Sequence, residues 1–496
     1  MSKVRKKKPQ RVKARLSRGL HDLMSQQQLA REWMFQRIRG VYERYGFVPL
    51  STPAVEYLDV LLGSEPGDEA TKQIFTVSNP EGEELGLRFD LTVPLARVVA
   101  QYRELERPFR RYQVAQVWRG DKPDKGRFRE FTQFDLDSVG TKSELADAEI
   151  LAAGCDTFEA LGIERYSIRY SSRKLLEVLL TYAGVSADLG KDVFRVLDKL
   201  DKAGLDKVKL ELTTGYKDES GDTIRGLGLA VAQVAKIEEF LTLRSEVRQE
   251  VVDRLRTLFD RVDGAGAAIA TVEKISDHLH ALGYGDDKVQ IDLSIARGLA
   301  YYTGPIFEAV LLDAPQFGSV FGGGRYDGLV KRFSGEDVPA VGASIGVDRL
   351  LAALRHLGKL HSRRSTAQVL VTILDPALES EYVALTWELR RAGIAAEIYL
   401  GNPKRGLGKQ LKYGDALEIP VALILGEDEI AKGIVQIKDM DAGRRSSEAI
   451  VDREEWLARR PGQREVPREQ LIEELRQLLD TIDRDAAGMI TATSAS

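Results

Sequence analysis

Apolar and polar positions along the chain change period several times, and each change marks an element. From Ser25 to Tyr45 the apolar residues Leu29, Trp33, Ile38, Val41 and Tyr42 keep helical spacing. Gly46-Phe47-Val48-Pro49-Leu50 ends that helix and starts an extended stretch. Ser51-Thr52-Pro53 continues it, because proline disfavours helix in the residue before it. Short strand-like segments then alternate with turns through Val139. Residues 173 to about 288 are rich in Leu, Val, Lys and Glu at helical spacing, as in Leu175–Tyr182 and Val247–Phe259, which predicts a mostly helical insertion. Strand patterns return at Gln290–Ala296 and Ile306–Leu312. After the polar linker His361-Ser362-Arg363-Arg364-Ser365, strands at Val369–Leu374, Ala395–Tyr399, Val421–Leu425 and Val435–Lys438 alternate with helices over Glu379–Ala392 and Gly408–Leu417. That alternation predicts a separate α/β domain with a mixed sheet, spanning 366–482. A last amphipathic helix carries Leu471, Ile472, Leu475, Leu478, Leu479 and Ile482, and a disordered Ala/Thr/Ser tail is expected over 483–496.

The 496 residues suggest about three folded units, at roughly 150 residues each. With 43% hydrophobic and 30% charged residues and a net charge of −4, the composition is that of a globular protein, not a disordered or collagen-like one. The single cysteine, Cys155, excludes a disulfide framework and a thiolate metal cluster and fits a reducing compartment. None of the five histidines stands at metal-ligand spacing from carboxylates, so no metal site is expected. No apolar run approaches the roughly 18 residues of a membrane helix, and no apolar segment of a secretory signal follows the basic N-terminus. A cytoplasmic protein is expected. Residues 1–18 hold nine cations and no anion. Such a tail is either a solvated, solubilising segment or an arm that attracts phosphate backbones by counterion release.

Four segments carry chemistry. Tyr112–Trp118 and Arg129–Val139 are strand-like and flank a basic loop with Pro123 and Gly126 as turn formers, so they read as a hairpin. Alternation puts Gln133, Asp135 and Asp137 on one face and Phe134 and Leu136 on the other. Arg119, Arg127 and Arg129 border the loop with Phe128 and Phe131 among them; guanidinium forks suit phosphates and an aromatic face suits a purine. An isolated hairpin would instead show its polar face to water. In Ile291–Tyr302, Arg297 falls on the apolar parity of its strand, where it must be paired or face a ligand. Gly322-Gly323-Gly324-Arg325-Tyr326-Asp327-Gly328 allows either phosphate cradling or close backbone approach, and is neither a P-loop nor a dinucleotide fingerprint. Gly342–Leu351 reads as a strand running into a helix with Arg349 near its start.

Together these segments resemble the class II aminoacyl-tRNA synthetases, and more closely the histidyl-tRNA synthetases. The Tyr112–Gly140 hairpin is similar to class II motif 2, Gly342–Leu351 to motif 3, and Phe47–Tyr57 with Pro53 to motif 1, the dimer-forming element. Arg297–Tyr302 and Gly322–Gly328 resemble the two signature segments of the histidine family. Lys409–Tyr413, Ile424–Glu429 and Gln436–Met440 resemble its C-terminal anticodon-binding domain. The resemblance implies an α+β fold: a catalytic domain over 19–360 with an antiparallel sheet core and a helical insertion, then an α/β anticodon-binding domain.

It also implies that ATP, with Mg2+ accompanying it, activates L-histidine to the adenylate, which then passes to tRNA(His), and that the enzyme is a homodimer. By match to the motifs, Arg119 holds the α-phosphate, Arg127 and Arg349 the β- and γ-phosphates, Asp121 the adenine amino group, and Phe131 stacks on adenine. Arg297 matches the catalytic arginine. Asp90, Thr92 and Gln133 match the groups that receive the α-ammonium, with Leu91 between them, and Asp137 and Tyr302 the pair that bonds both imidazole nitrogens. Tyr301 and Tyr326 complete the expected histidine pocket. Arg88-Phe89-Asp90-Leu91-Thr92 resembles the eukaryotic-type variant of its motif, Asp121 replaces a Glu, and Ala300 stands where the signature often has Asp. The alternative is a catalytically inactive, synthetase-like regulatory subunit of histidine biosynthesis. Such subunits typically lack the C-terminal domain and the phosphate-binding arginines, both of which have counterparts here. A pure tRNA-binding or signalling module would tolerate loss of the Asp137/Tyr302 pair, which is intact.

Overall fold

The computed structural model describes residues 12–63, 74–122, 128–218, 221–296, 298, 301–360, 363–440, 442 and 462–493. Most of the basic N-terminal arm therefore lies outside the described residues; its remainder, from Val12 to Arg18, is exposed. The chain forms two compact units. One comprises the described residues up to Asp22 and Arg37–Leu357, the other Leu23–Gln36 and the described residues from Gly358 on.

In the first unit the described strands are β1 (Val48–Pro49), β2 (Val55–Tyr57), β3 (Thr76–Val77), β4 (Leu85–Leu87), β5 (Phe109–Trp118), β6 (Glu130–Val139), β7 (Tyr166–Ser172), β8 (Gly215–Lys217), β9 (Thr223–Arg225), β10 (Val289–Ile291), β11 (Pro305–Leu311), β12 (Ser319–Arg325) and β13 (Ala340–Gly346). Eight of them make one sheet in the order β1-β5-β6-β13-β12-β11-β7-β10. The six central strands are antiparallel and the two edge strands, β1 and β10, join in parallel.

Period-2 alternation gives this sheet two unlike faces. On one, Phe134, Leu136, Ile168, Tyr170, Phe307 and Phe321 are buried. Tyr42, near the end of the Ser25–Arg44 helix, meets Phe134 edge-on at 5.3 Å between ring centroids. The helix Glu144–Ala160 packs Phe158 against Phe321, and Tyr170 donates to the carbonyl of Val272 on the helix Ala265–Ala281 at 3.0 Å. The Glu144–Ala160 helix starts where its sequence says it should: the Ser143 hydroxyl accepts from Leu145 N, and Glu144 and Asp147 complement the helix dipole in the first turn. Across its middle, the other face is polar or bare but for Ile306. Register places Arg111 and Gln113 of β5 across from Asp137 and Asp135 of β6, which in turn face Gly342 and Ser344 of β13. Gly324 and Gly322 of β12 follow, then Ile306 and Glu308 of β11, then Ser171 and Arg169 of β7. A glycine- and serine-lined floor thus lies between two acidic strands.

The insertion is helical as expected, with helices at Arg173–Ala183, Ala187–Leu197, Leu205–Leu212, Val231–Thr242 and Arg248–Leu258. It also contains the β8–β9 hairpin, which short β-branched and aromatic runs (Tyr216; Thr223, Ile224) form inside a helical background. The strand expected over Gln290–Ala296 stops at Ile291. Asp292 Oδ1 accepts from Ser294 N and Oγ and turns the chain, so the parity placed on Arg297 does not apply; Arg297 itself lies outside the described residues.

The second unit holds β14 (Val369–Val371), β15 (Ala396–Ile398), β16 (Val421–Ile424), β17 (Ile434–Asp439) and β18 (Gln463–Pro467), in the order β15-β14-β16-β17-β18. The first three are parallel and the last two antiparallel, a mixed sheet as the alternation predicts. Its core joins Val369, Val371, Leu385, Leu423, Ile437 and Leu475. The last helix runs from Leu471 to Thr493, beyond the 482 expected from its apolar stripe, since Asp485-Ala486-Ala487 contains no helix stop.

Gly323 sits where β12 crosses β13, and a Cβ there would lie 2.1 Å from the Gly342 carbonyl oxygen and 2.6 Å from the Ala343 Cα. Both are backbone atoms and cannot rotate away. Gly323→Ala is expected to destabilise the first unit by about 3 kcal/mol, read as a lower denaturant midpoint. An unchanged midpoint would show that the strands separate freely.

Candidate active site

The bare floor is bounded on one side by the β5–β6 hairpin. Asp135 and Asp137 are both buried, and Arg111, with a fully buried side chain, stands beside them. Arg111 Nη2 is 2.8 Å from Asp137 Oδ2 and 4.0 Å from Asp135 Oδ2, and it donates to the Leu91 carbonyl at 3.1 Å. The Tyr326 hydroxyl donates to Asp137 Oδ1. Burial pushes the Asp137 carboxyl above its ordinary range, while Arg111 and the Tyr326 hydrogen bond pull it back. Asp135 is also raised by burial, countered by Arg111 and reinforced by the Asp137 charge. Opposite Asp137, a Cβ at Gly342 would fall 1.9 Å from Oδ1, so only glycine leaves room for this carboxylate.

Gln133 lies on the same face, and its Nε2 donates to Ser344 Oγ at 3.1 Å, which turns Oε1 outward as an acceptor. That oxygen, Gln113 Oε1, Asp135 Oδ1 and Arg111 Nε and Nη1 are all buried without a hydrogen-bond partner among the described residues. Orphaned polar atoms are rare in folded proteins, and six of those among the described residues, Asp137 Oδ2 included, share this one face of the hairpin.

The loop 88–92 is tied to this region by a buried arginine. Arg88 donates to the carbonyls of Gln116, Thr52 and Pro53 at 2.9, 2.7 and 3.1 Å. Asp90 Oδ1 accepts from Val93 N at 3.0 Å at the start of the helix Thr92–Gln101. Burial raises the Asp90 carboxyl, and Arg119, Arg332 and Arg111 oppose that rise. Burial also lifts the Tyr301 hydroxyl well above its usual range, with Asp90, Thr92 and Asp137 among the groups that act on it. Tyr301 stacks edge-on with Tyr302 at 5.1 Å and lies 5.6 Å from Tyr326. The turn ahead of the pair is held by Asp198, whose carboxylate accepts from Gly298 N at 3.2 Å. Asp90, Leu91, Thr92, Gln133, Asp137, Tyr301 and Tyr326 are thereby linked into one neighbourhood, to which Tyr302 is joined through the Tyr301 ring.

At the far end of the hairpin, Arg119 donates from Nε to the Phe89 carbonyl at 3.0 Å, and its guanidinium lies 5.0 Å from the Phe131 ring centroid. Arg129 Nε donates to the Asp121 carbonyl at 3.0 Å and shapes the start of the loop. Arg349, in the first turn of the helix Val347–His356, donates to the Ser319 carbonyl at 2.6 Å. Arg119, Asp121 and Phe131 are therefore grouped, and Arg349 borders the β12–β13 end of the floor. Arg127 and Arg297 lie outside the described residues. Among the described residues no group of three or more His, Cys, Asp or Glu side chains is arranged to hold a metal ion.

Sequence reading missed Arg111, Arg88, Ser344 and the pair Arg169–Glu308. Arg111 stands directly across from Asp137, but the parity that marks β6 extends to β5 only once the register of the hairpin is known. Ser344 sits in a run of small residues that reads as packing. Arg169 contacts both Asp292, at 2.9 Å, and Glu308, and so ties β7 to the turn that precedes Arg297.

The model of the histidyl-tRNA synthetase family matches residues 19–350, and that of an anticodon-binding domain matches 368–478. A histidine–tRNA ligase of Rhizobium leguminosarum bv. trifolii is 44% identical, over 98% of this chain and 99% of its own. One of Paracoccus denitrificans is 45% identical over 97% and 100%. Among solved structures, a histidyl-tRNA synthetase from Nostoc sp. PCC 7120 superposes with a TM-score of 0.79 at 32% identity, over 94% of this chain and all of that one. The two-faced antiparallel sheet is the class II fold, and the chain belongs to the histidyl-tRNA synthetase family.

Proposed function

We infer that the chain is a histidine–tRNA ligase: it uses ATP to activate L-histidine and transfers the histidyl group to tRNA(His). The observation that carries the chemistry is the row of buried, unpartnered polar atoms beside a bare glycine floor, next to a basic hairpin end. Full-length kinship with ligases and the matched anticodon-binding domain disfavour the regulatory-subunit alternative. A solved chain described as a regulatory subunit/histidyl-tRNA synthetase shares only 21% identity, which speaks to the fold alone.

In this reading Asp90, Thr92 and Gln133 Oε1 receive the α-ammonium, with the Leu91 backbone between them. Asp137 accepts one imidazole N–H and Tyr302 serves the other nitrogen, with Tyr301 and Tyr326 walling the ring. The histidine carboxylate oxygen attacks the α-phosphorus, a C(O)–O–P linkage forms, and the bond to the β-phosphate oxygen breaks to release pyrophosphate. Arg119 and Arg297 stabilise charge on the α-phosphate, Arg127 and Arg349 hold the outer phosphates, Phe131 stacks on adenine, and Asp121 meets the adenine amino group. Mg2+ would arrive on the triphosphate, whose oxygens suit a hard cation. The tRNA 3′-terminal hydroxyl then displaces AMP. No enzyme nucleophile is needed; positioning and charge stabilisation carry both steps.

For the tRNA, exposed Lys404, Arg405, Lys409 and Lys412 between β15 and β16 of the second unit supply a phosphate-attracting edge. The insertion is assigned to the acceptor arm. The homodimer is supported by exposed Val48 on edge strand β1, and by Val55, Tyr57 and Tyr102, exposed in a groove they line with Leu50, Pro53 and Phe109. No helix among the described residues is long and apolar enough to cross a membrane, and the proposed reaction belongs in the cytoplasm.

Pyrophosphate exchange is expected with histidine and with no other amino acid; exchange with another amino acid would overturn the assignment of Asp137 and Tyr302. Arg297→Ala and Arg119→Ala are each expected to lower exchange by about 100-fold or more while the protein folds and sediments at twice the chain mass. Near-normal exchange would remove the charge-stabilising role. Deleting residues 366–496 should leave histidine activation measurable and abolish tRNA charging, whereas equal loss of both would make the second unit a structural support only.

A further inference from the structure

Three buried arginines pair with acids in the first unit, and they are not alike. Arg325 donates to Asp147 through two nitrogens, and to the carbonyls of Thr141 and Ser143 at 2.9 and 3.2 Å. Arg248 reaches Ser276, Asp286 and the carbonyls of Tyr284, Gly285 and Val289. All three guanidinium nitrogens of each are engaged, as a structural anchor requires. Arg111 is the most deeply buried of the three, yet only Nη2 has partners, while Nε and Nη1 have none among the described residues. Its position is also distinct: one nitrogen touches Asp137, the Leu91 carbonyl and, more distantly, Asp135.

We propose that Arg111 is a specificity-determining positioning residue, which keeps Asp137 an ionised, oriented acceptor for one ring N–H of the substrate and joins it to the 88–92 loop. This rests on the reading that Asp137 meets the imidazole. A buried carboxylate without a cation takes up a proton, and a neutral carboxyl offers a donor where the ring N–H needs an acceptor. Asp135 competes for the same guanidinium, since one cation stands beside two buried carboxylates; Arg111 decides which of them stays charged, and its 2.8 Å contact selects Asp137. The Tyr326 hydroxyl donates to the other oxygen of Asp137 and fixes the plane of the carboxylate. The Leu91 contact makes the same residue a strut for Asp90 and Thr92, so ring recognition and ammonium recognition share one support.

The test is steady-state pyrophosphate exchange by Arg111→Met, Arg111→Lys and Asp137→Asn in the full chain, with KM measured separately for histidine and for ATP. Arg111→Met is expected to raise the histidine KM at least about 30-fold, with the ATP KM within about threefold of the parent. Arg111→Lys keeps the charge without the planar fork and should fall between them. It also keeps the test open if the Met variant does not fold. Parallel rises in both KM values, or an unchanged histidine KM in folded Arg111→Lys and Arg111→Met, would leave Arg111 a structural residue and overturn the proposal. If Asp137→Asn itself leaves the histidine KM unchanged, the underlying assignment of Asp137 falls; if Asp137→Asn raises it and the Arg111 variants do not, only the role of Arg111 falls.

Discussion

Asp137 occupies the volume that a side chain at position 342 would need. That exclusion constrains much of the catalytic unit. With glycine at 342, β13 can lie beside β6 while a carboxylate stands between them, and with glycine at 323 the next strand can close on β13 in turn. The floor is therefore bare because the strands are close and because the acids on its border need the space. Ser344, the one hydroxyl in that stretch of β13, accepts from Gln133 and sets which of its amide atoms points outward. Packing and chemistry meet in the same few atoms, and the opposite face of the sheet can be filled with aromatic rings and helices without regard to them.

Much of this was legible in the chain. Period-2 alternation over Arg129–Val139 separates Asp135 and Asp137 from Phe134 and Leu136, and the structure preserves that separation. The strand-to-helix junction at Gly342–Leu351 and the mixed sheet of the second unit follow from the same kind of pattern. What was not legible depends on register and distance. Arg111 is one of several basic residues ahead of a basic hairpin, and nothing local distinguishes it from Arg110, which lies over the Phe47 ring instead. Gly322-Gly323-Gly324 permits phosphate cradling or close strand approach, and the backbone of Gly342, Ala343 and Pro305 close beside it favours the second. The strand at 290–296 ends early because Asp292 can bond its own neighbours, a local competition that apolar alternation does not register.

Buried charge in this unit follows two regimes. Where an arginine is saturated by carbonyls and carboxylates, as at Arg325 and Arg248, it fastens a turn or the insertion to the body, and its value is geometric. For Arg325 and Asp147, where both side chains are buried, removing either partner would strand a buried charge at about 3–5 kcal/mol. Where saturation is incomplete, as around Arg111, Asp135 and Gln133, the fold tolerates a standing penalty on the order of 1–3 kcal/mol for each orphaned group. A protein of ordinary marginal stability keeps several such groups together only where something else completes them.

That penalty bears on discrimination between amino acids. A pocket that only offered apolar volume could separate ligands differing by a methylene by roughly 10- to 200-fold, whereas a pocket whose buried polar atoms need specific partners can reach about 10⁴ or more. The atoms orphaned among the described residues here include acceptors on Gln133, Gln113, Asp135 and Asp137, and donors on Arg111 and the Tyr301 hydroxyl. In the proposed reading an aliphatic side chain would leave Asp137 without a donor. A lysine or arginine side chain would bring charge toward a guanidinium already in place. In that reading Gln133 meets the α-ammonium that every amino acid carries, so selection rests on Asp137 and Tyr302, which a neutral ring with one N–H donor and one nitrogen acceptor satisfies together. On the proposed assignment, strong selection for imidazole needs no second, hydrolytic site; it needs Asp137 held in place as an acceptor for the ring.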